Sequence, residues 1–499
     1  MENKQELGYK KVPILEEGVI ETSTLPSIEK PFVTITTTGD TNRTFLYIAA
    51  CTVNIVSFIC GTSLGWTSPE IPLLKNLTTS PLEEIISPSQ EGWVGSFLPL
   101  AAAIGPIGGG VLADKIGRKK SLLIANIPFF VAFLVNFFAN SIYHFFLSRF
   151  LCGLGIGIIF TALPMYMGEI ADDEVRGALG SFMQLFIVIG LCFSYILGPY
   201  VPMKTFNLIL LTPPVVFSIL FGGFVPDSPY YLIQSGRIDE ALKALIKFRG
   251  CSRASAQKEL EIMRTQIEED SKSKGNFAET FKIVLGSRGL KMALFISLNL
   301  VTWQQLSGIN IVLFYTQSIF TDAGASLAPE ICTIITGVVQ IVASGATPLL
   351  VERWGKRFLL MLSAIGMGLS QGVLSYFFYM KEDQSKDVSD IGWVPIVSLV
   401  VFIITYCLGF GPLAWAVLGE LFPGNVKSVA SSATASFCWI LGFFITNYFG
   451  ALTSLVGKSG SFGLFTICCF ISAGFVYKFL PETTGKSLIE IQALLSGEN

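Results

Sequence analysis

Twelve apolar runs constrain this chain more than any other feature. Each is close to the roughly 20 residues that a helix needs to cross a hydrocarbon layer about 30 Å thick. Six lie near 45–66, 92–113, 121–139, 145–166, 178–199 and 205–224, and six more near 291–318, 331–351, 358–380, 393–418, 428–450 and 461–480. Inside a bilayer every backbone N–H and C=O must find a partner within the protein, and for runs of this length that means helices. The expected fold is an all-α membrane protein with twelve transmembrane helices in two six-helix halves. Composition supports it: 14% of the 499 residues are charged, against about 25% in a soluble chain, too few to coat water-facing domains of this size.

The runs divide the chain into an N-terminal tail at 1–44, a first half at 45–224, a linker at 225–290, a second half at 291–480 and a C-terminal tail at 481–499. The linker carries charge and helix formers such as Arg237-Ile238-Asp239-Glu240-Ala241 and is expected to be a cytoplasmic helical segment. The leader is polar and Thr-rich, which predicts a disordered tail and no cleavable signal peptide. With that tail inside, 28 of the 34 Lys and Arg fall in inside segments, five fall outside, and Arg149 lies within a span. The positive-inside rule therefore puts both termini in the cytoplasm. The sequon Asn76-Leu77-Thr78 then falls in the first outside loop, where Asn76 is a candidate glycosylation site.

Several function classes drop out. A formal net charge of -2 argues against a nucleic-acid partner or a polybasic surface protein. The single histidine, His144, rules out a His-based zinc cluster, and any Ser-His-Asp triad would have to use that one ring in an outside loop. Nine of the ten cysteines sit in or beside apolar stretches and read as small buried hydrophobes. No enzyme activity, metal or cofactor is expected; the partners are a small molecule and the lipid bilayer.

The two halves repeat each other. The basic loop containing Asp114 and Gly117-Arg118-Lys119 recurs at Glu352 and Gly355-Lys356-Arg357, 238 residues later, and Glu169 with Arg176 recurs as Glu420 with Lys427, 251 residues later. Paired six-helix halves with a polar site near mid-membrane are the build of an alternating-access transporter. Glycines such as Gly105 to Gly110 and Gly153-x-x-x-Gly157 are not followed by Gly-Lys-Ser/Thr and read as close helix contacts, not phosphate loops.

Ordered motifs carry a family resemblance across all twelve spans. They are the two basic loops, Arg149-Phe150-Leu151-Cys152-Gly153, Pro164-x-Tyr166-x-x-Glu169 with Arg176-Gly177, and Pro226-Asp227-Ser228-Pro229. The second half adds Gln304-Gln305-Leu306-Ser307-Gly308-Ile309-Asn310, Gly411-Pro412-x-x-Trp415, Glu420-x-x-Pro423 and Pro481-Glu482-Thr483-Thr484-Gly485. The chain resembles the sugar porters of the major facilitator superfamily, the group that holds glucose facilitators and insect trehalose transporters. The resemblance implies the major facilitator fold and transport of a hexose or trehalose across the plasma membrane.

A sugar presents hydroxyls around apolar ring faces, so its site wants uncharged amides and an aromatic plane. Gln304, Gln305 and Asn310 place three amides within about two turns of span seven. The resemblance extends sugar contact to these three and to Gln184 of span five and Trp415 of span ten, and places Gln340 of span eight where relatives also have an amide. It also makes Phe314 and Tyr315 outer-gate aromatics. Gly409, Gly411 and Pro412 interrupt span ten and predict a bend about which half a helix swings. Asp114, Arg118, Glu169 and Arg176, with Glu352, Arg353, Arg357, Glu420 and Lys427, read as a cytoplasmic charge latch between helix ends. Where relatives often have an Asn and another polar residue in span eleven, this chain has Cys438 and Gly442; that change leaves room for a larger sugar or alters how the ring is recognised.

Proton-driven relatives pair an acid in span one with the span-four Arg. Here Ser63 holds the acid's place, and no Asp or Glu lies between Phe45 and Trp66 or between Phe145 and Tyr166. Facilitated diffusion is therefore expected, with a proton symporter or a non-transporting sugar receptor as alternatives.

Overall fold

The computed structural model describes residues 42–172, 174–273, 277–383, 387–486 and 488–497. The tail expected at 1–44 falls almost wholly outside them. In the first half the spans are Thr44–Leu74, Pro88–Ile116, Arg118–Phe137, Ile142–Ile170, Arg176–Tyr200 and Met203–Phe224. In the second, span seven runs over Arg288–Ala323, followed by Pro329–Trp354, Lys356–Glu382 and Ser389–Leu421. The last apolar segment, Val426–Phe479, has 54 residues, about 80 Å of helix at 1.5 Å per residue against a layer of about 30 Å. It is two spans. Gly457 breaks it at φ 71° and ψ 173°, a backbone region open to glycine, and the Phe449 and Phe465 rings meet across the break at 6.3 Å.

Local sequence sets the ends. Span two opens on a capping box, with Ser87 Oγ accepting from Gln90 N–H, the Gln90 side chain answering, and Pro88 at the first helical position. Spans two and three are joined through Gly117 at φ 95°, and spans eight and nine through Gly355 at φ 75°. A carboxylate caps the new helix in both turns: Asp227 accepts from Lys119 N–H at 3.1 Å, and Glu482 from Lys356 and Arg357 N–H, each at 3.1 Å. Burial pushes the Asp227 carboxyl above its ordinary range. Burial acts the same way on Glu482, but hydrogen bonds from Thr484 and from the Arg357 and Lys356 N–H groups outweigh it and hold that carboxyl below its ordinary range.

Within each half the helices approach through small residues. A Cβ on Gly61 would lie 1.9 Å from the Ile187 carbonyl oxygen, and one on Gly190 would lie 2.1 Å from that of Phe58, so spans one and five touch backbone to backbone. Gly153 and Gly157 lie against Leu98 and Gly105 of span two in the same way. Between halves, span two packs on the span eleven–twelve segment and span five on span eight. Large apolar side chains left outward, among them Tyr143, Ile219 and Leu349, face where the bilayer lies. The linker folds into helices at Pro229–Gln234, Ile238–Arg249, Arg253–Ser273 and Phe277–Gly286. Arg249 ties it to span four, donating to Ile170 O at 2.6 Å while pairing with Glu259 at 2.9 Å. A last helix, Leu488–Ser496, is held by Gln492 Nε2 donating to Leu421 O at 2.6 Å.

Candidate functional site

Span seven is broken. Gly308 at φ 79° separates Arg288–Leu306 from Ile309–Ala323, and the Phe465 ring fills the space a Cβ would need there. Span ten breaks at Gly409, between Val394–Leu408 and Leu413–Leu421. A Cβ on Gly409 would meet Ser363 Cβ at 2.3 Å. A helix break frees backbone groups that must be satisfied elsewhere. Phe410 N–H donates to Ser363 Oγ at 3.1 Å, and Gln304 Nε2 donates to Phe410 O at 2.7 Å and to the Tyr406 hydroxyl at 3.2 Å. One broken span thus holds the other.

The neighbouring amide does something different. Gln305 Oε1 accepts from Asn310 Nδ2 at 2.7 Å, and Gln305 Nε2 donates to Cys438 Sγ at 3.1 Å. Gln304, Gln305 and Asn310 are all buried and form one network with Cys438 of span eleven. The space at Gly442 is taken by this network: a Cβ there would lie 2.9 Å from Asn310 Nδ2 and 3.4 Å from Gln305 Oε1. The missing side chain therefore makes room for amides of span seven, not for an open pocket, in this conformation. Gln340 is buried with Oε1 unpartnered, as are Trp439 Nε1, Ser344 Oγ and Ser436 Oγ. Buried polar atoms normally have partners, so Gln340 Oε1, Trp439 Nε1 and Ser436 Oγ are free to take hydroxyls or water, while Ser344 lies against the Cys407 thiol. Gln184 and Trp415 are half-buried, and neither joins the span-seven network.

The second part of span seven is tightly packed against the first half. Phe314 and Tyr315 are buried, and Tyr315 departs from helical geometry at φ -122° and ψ 17°. Its ring lies 6.1 Å from that of Phe449, and its hydroxyl lies 2.5 Å from where a Cβ on Gly95 would sit. A side chain at Gly95 would have to displace that hydroxyl. Further bonds tie the halves here: Tyr195 donates to Leu313 O at 2.7 Å, Gln317 N–H to Ser68 Oγ at 3.1 Å, and Ser96 to Asn447 Oδ1 at 3.1 Å. Arg149 is held by the carbonyls of Ser63 and Val94, between the rings of Trp66 and Phe314 at 5.7 and 5.9 Å. Among the described residues no carboxylate pairs with it.

Span one extends past its expected end at Trp66 to Leu74 and so encloses Glu70, fully buried with neither carboxylate oxygen hydrogen-bonded. The charged residue hid the extension, because a hydropathy reading stops at an acid.

At the end of the bundle that carries the two basic loops, the charges pair within each half and in matching places. Arg118 holds Glu169 at 2.7 Å and lies 3.6 Å from Asp114, and Ser228 donates to the other Glu169 oxygen. Its counterpart is Lys356 with Glu420. Lys356 was missed as a site residue, although it lies 238 residues after Arg118 and the repeat points to it. Arg357 instead donates to Tyr477 O and covers that ring. Arg176 is engaged, while Glu352, Arg353 and Lys427 are exposed.

Duplicated halves, broken spans and buried amides at their junction define a secondary transporter of alternating-access build. The sequence profile of the family described as Sugar (and other) transporter matches residues 41–495, and the chain belongs to that family. It is 36% identical over 461 residues to the facilitated trehalose transporter Tret1 of Polypedilum vanderplanki, covering 92% of this chain and 90% of that one. It is 36% identical to Tret1 of Drosophila willistoni over 90% of this chain but about half, 51%, of that protein's length. The fold matches the proton:xylose symporter XylE bound to 6-bromo-6-deoxy-D-glucose with a TM-score of 0.72 at 23% identity, over 91% of this chain and 100% of that one. It also matches the inward-open form of XylE from E. coli with a TM-score of 0.73, over 90% and 99%.

Proposed function

We propose that this protein carries a neutral sugar down its gradient across the plasma membrane by alternating access, with both termini cytoplasmic. The observation that carries the proposal is the buried Gln304–Gln305–Asn310 cluster at the junction of two broken spans, with the unpartnered Trp439 Nε1 on the residue next to its partner Cys438. Such groups bind hydroxyls without a charge to neutralise. The relatives named as facilitated trehalose transporters make trehalose the first sugar to test, and glucose the second. Gln184, Gln340 and Trp415 complete the site as the halves rock. Labelled trehalose should equilibrate into liposomes containing the purified protein, and unlabelled sugar inside should speed the exchange. An interior that stays unlabelled with both sugars would favour a receptor.

A proton-coupled cycle is the second reading, because Glu70 is an unpartnered carboxylate in the span that carries Ser63. Facilitation is preferred because Ser63 stands in span one where proton-driven relatives have an acid, and among the described residues Arg149 is held by the Ser63 and Val94 carbonyls with no carboxylate paired to it. Glu70→Gln is expected to leave the rate of downhill uptake flat between mildly acidic and neutral pH, as in the unmodified protein. A pH-dependent rate that the substitution removes would favour coupling.

The cytoplasmic charges support a latch in which Glu169 and Glu420 exchange partners between halves when the inside closes, with Asp114, Arg118, Arg176, Glu352, Arg353, Arg357 and Lys427 around them. Glu169 and Glu420 now pair within each half, in largely buried contacts with Arg118 and Lys356, and Glu169→Gln with Glu420→Gln should shift the population toward inward-facing states. Reduced labelling of an outer-end cysteine probe would register it; unchanged labelling would leave these pairs as anchors within each half. Asn76 is exposed, and its side chain accepts from Thr78 N–H and Oγ1 at 3.0 and 2.7 Å. It fits a glycan acceptor in the outer loop. Glycosidase treatment should shift the native protein on a gel and leave Asn76→Gln unchanged.

A further inference from the structure

The chain is nearly neutral overall, yet one cleft is not. A cavity of ≈ 470 Å³ lies where the start of span three, the end of span six and the linker helix Ile238–Arg249 meet, and Lys119, Lys120, Arg237, Lys243 and Lys247 line it. Against these five cations stand two carboxylates, Asp227 and Glu240. Both are already committed: Asp227 caps span three and Glu240 pairs with Arg237. Lys119 and Lys247 are fixed as the floor, their ammonium groups donating to Gly222 O and Phe224 O, each at 2.8 Å, at the end of span six. Lys120 and Lys243 are exposed and make no ion pair among the described residues. The cleft therefore holds five cations against two carboxylates, an excess of positive charge.

Its position selects the ligand. Phe224 is the last residue of span six, and Lys119 is the second residue of span three. The cleft opens where the helices leave the membrane on the side that carries the excess Lys and Arg. Ile124 and Ile127 of span three, with Leu220 and Phe224 of span six, leave large apolar side chains exposed on the adjoining spans. That pairing of a cationic cleft with an apolar surface matches a phosphate headgroup with its acyl chains attached. A basic pocket between helices on the cytoplasmic side is suited to an anionic headgroup, because that leaflet holds the anionic lipids.

We propose that this cleft binds the phosphorylated headgroup of an anionic phospholipid, with Lys120 and Lys243 as its free contacts. By bridging span three and the linker helix, the lipid would fasten the linker to the first half. The inference rests on the cytoplasmic placement of the linker and not on which sugar is carried.

The test uses the full chain in nanodiscs of phosphatidylcholine with or without labelled phosphatidylinositol phosphate, read as lipid retained by the protein. Retention should fall about thirtyfold in the double variant Lys120→Gln, Lys243→Gln, the scale expected for two lysines near a charged surface. It should be unchanged in Lys258→Gln, Lys282→Gln, which removes the same charge from exposed linker positions outside the cleft. Thermal unfolding without anionic lipid should be the same for both variants, which separates lost binding from lost fold. Equal losses in the two variants would mean diffuse attraction and overturn the site. Soluble inositol phosphate that binds as tightly as the lipid would overturn the lipid as ligand and assign the cleft to a free phosphate compound.

Discussion

Gln305→Leu is expected to lower sugar uptake by about tenfold to hundredfold at unchanged surface level. The amide is the junction of the site, accepting from Asn310 and donating to Cys438. Its loss removes one hydrogen bond to the sugar, worth about 0.5–1.5 kcal/mol, and leaves Asn310 Nδ2 buried without a partner, at about 1–3 kcal/mol. Since about 1.4 kcal/mol is tenfold, the two together reach from about tenfold to about a thousandfold, and the expected loss lies in the lower part of that range. Gln304→Leu should also cut uptake, but with loss of folded protein, because its Nε2 satisfies the broken backbone of span ten at Phe410. Labelled-sugar uptake normalised to surface protein separates them. Normal kinetics in Gln305→Leu would take that residue out of the site.

Gly61→Val should remove folded protein from the membrane. The new Cβ would lie 1.9 Å from Ile187 O, and the reciprocal contact of Gly190 with Phe58 O at 2.1 Å means that neither helix can shift locally to relieve it. Overpacking a core that can adjust costs about 1–3 kcal/mol. Here backbone meets backbone, so the cost lies at the top of that range or above it, a large part of a total stability of about 5–15 kcal/mol. Gly108→Ala is the control, since a Cβ there meets nothing within 4 Å. Size-exclusion chromatography of the two should give an aggregated and a monodisperse profile. A monodisperse, transporting Gly61→Val would contradict the close packing of spans one and five.

The helices were legible because each apolar run has the length of a bilayer, a signal that survives any tertiary rearrangement. Span one was the exception: Glu70 looked like an end and lies inside, a buried acid that hydropathy alone cannot place. The amide cluster was legible as composition, three amides in one apolar span, but not as geometry. Nothing local to Gln304 tells that its partner is a carbonyl 106 residues away. The same limit hid Gly442, whose missing side chain reads as vacant space until Asn310 is placed against it. The paired charges at the helix ends were legible as a repeat, and the repeat was a better guide than charge type, for it matches Arg118 with Lys356 and so finds the partner of Glu420. Which charges meet across the halves depends on a conformation with the inside closed, and sequence spacing does not encode which partner is chosen.

The central claim is that nothing in this cycle links sugar to a second gradient, and one measurement addresses it directly. Purified protein in sealed liposomes is given equal labelled trehalose outside and inside, and an inward proton gradient is then imposed. The account predicts that the internal concentration stays at the external value, with or without a protonophore, because Ser63 supplies no titratable partner for Arg149. Sustained accumulation above the external value, abolished by the protonophore, would contradict it and turn attention to Glu70.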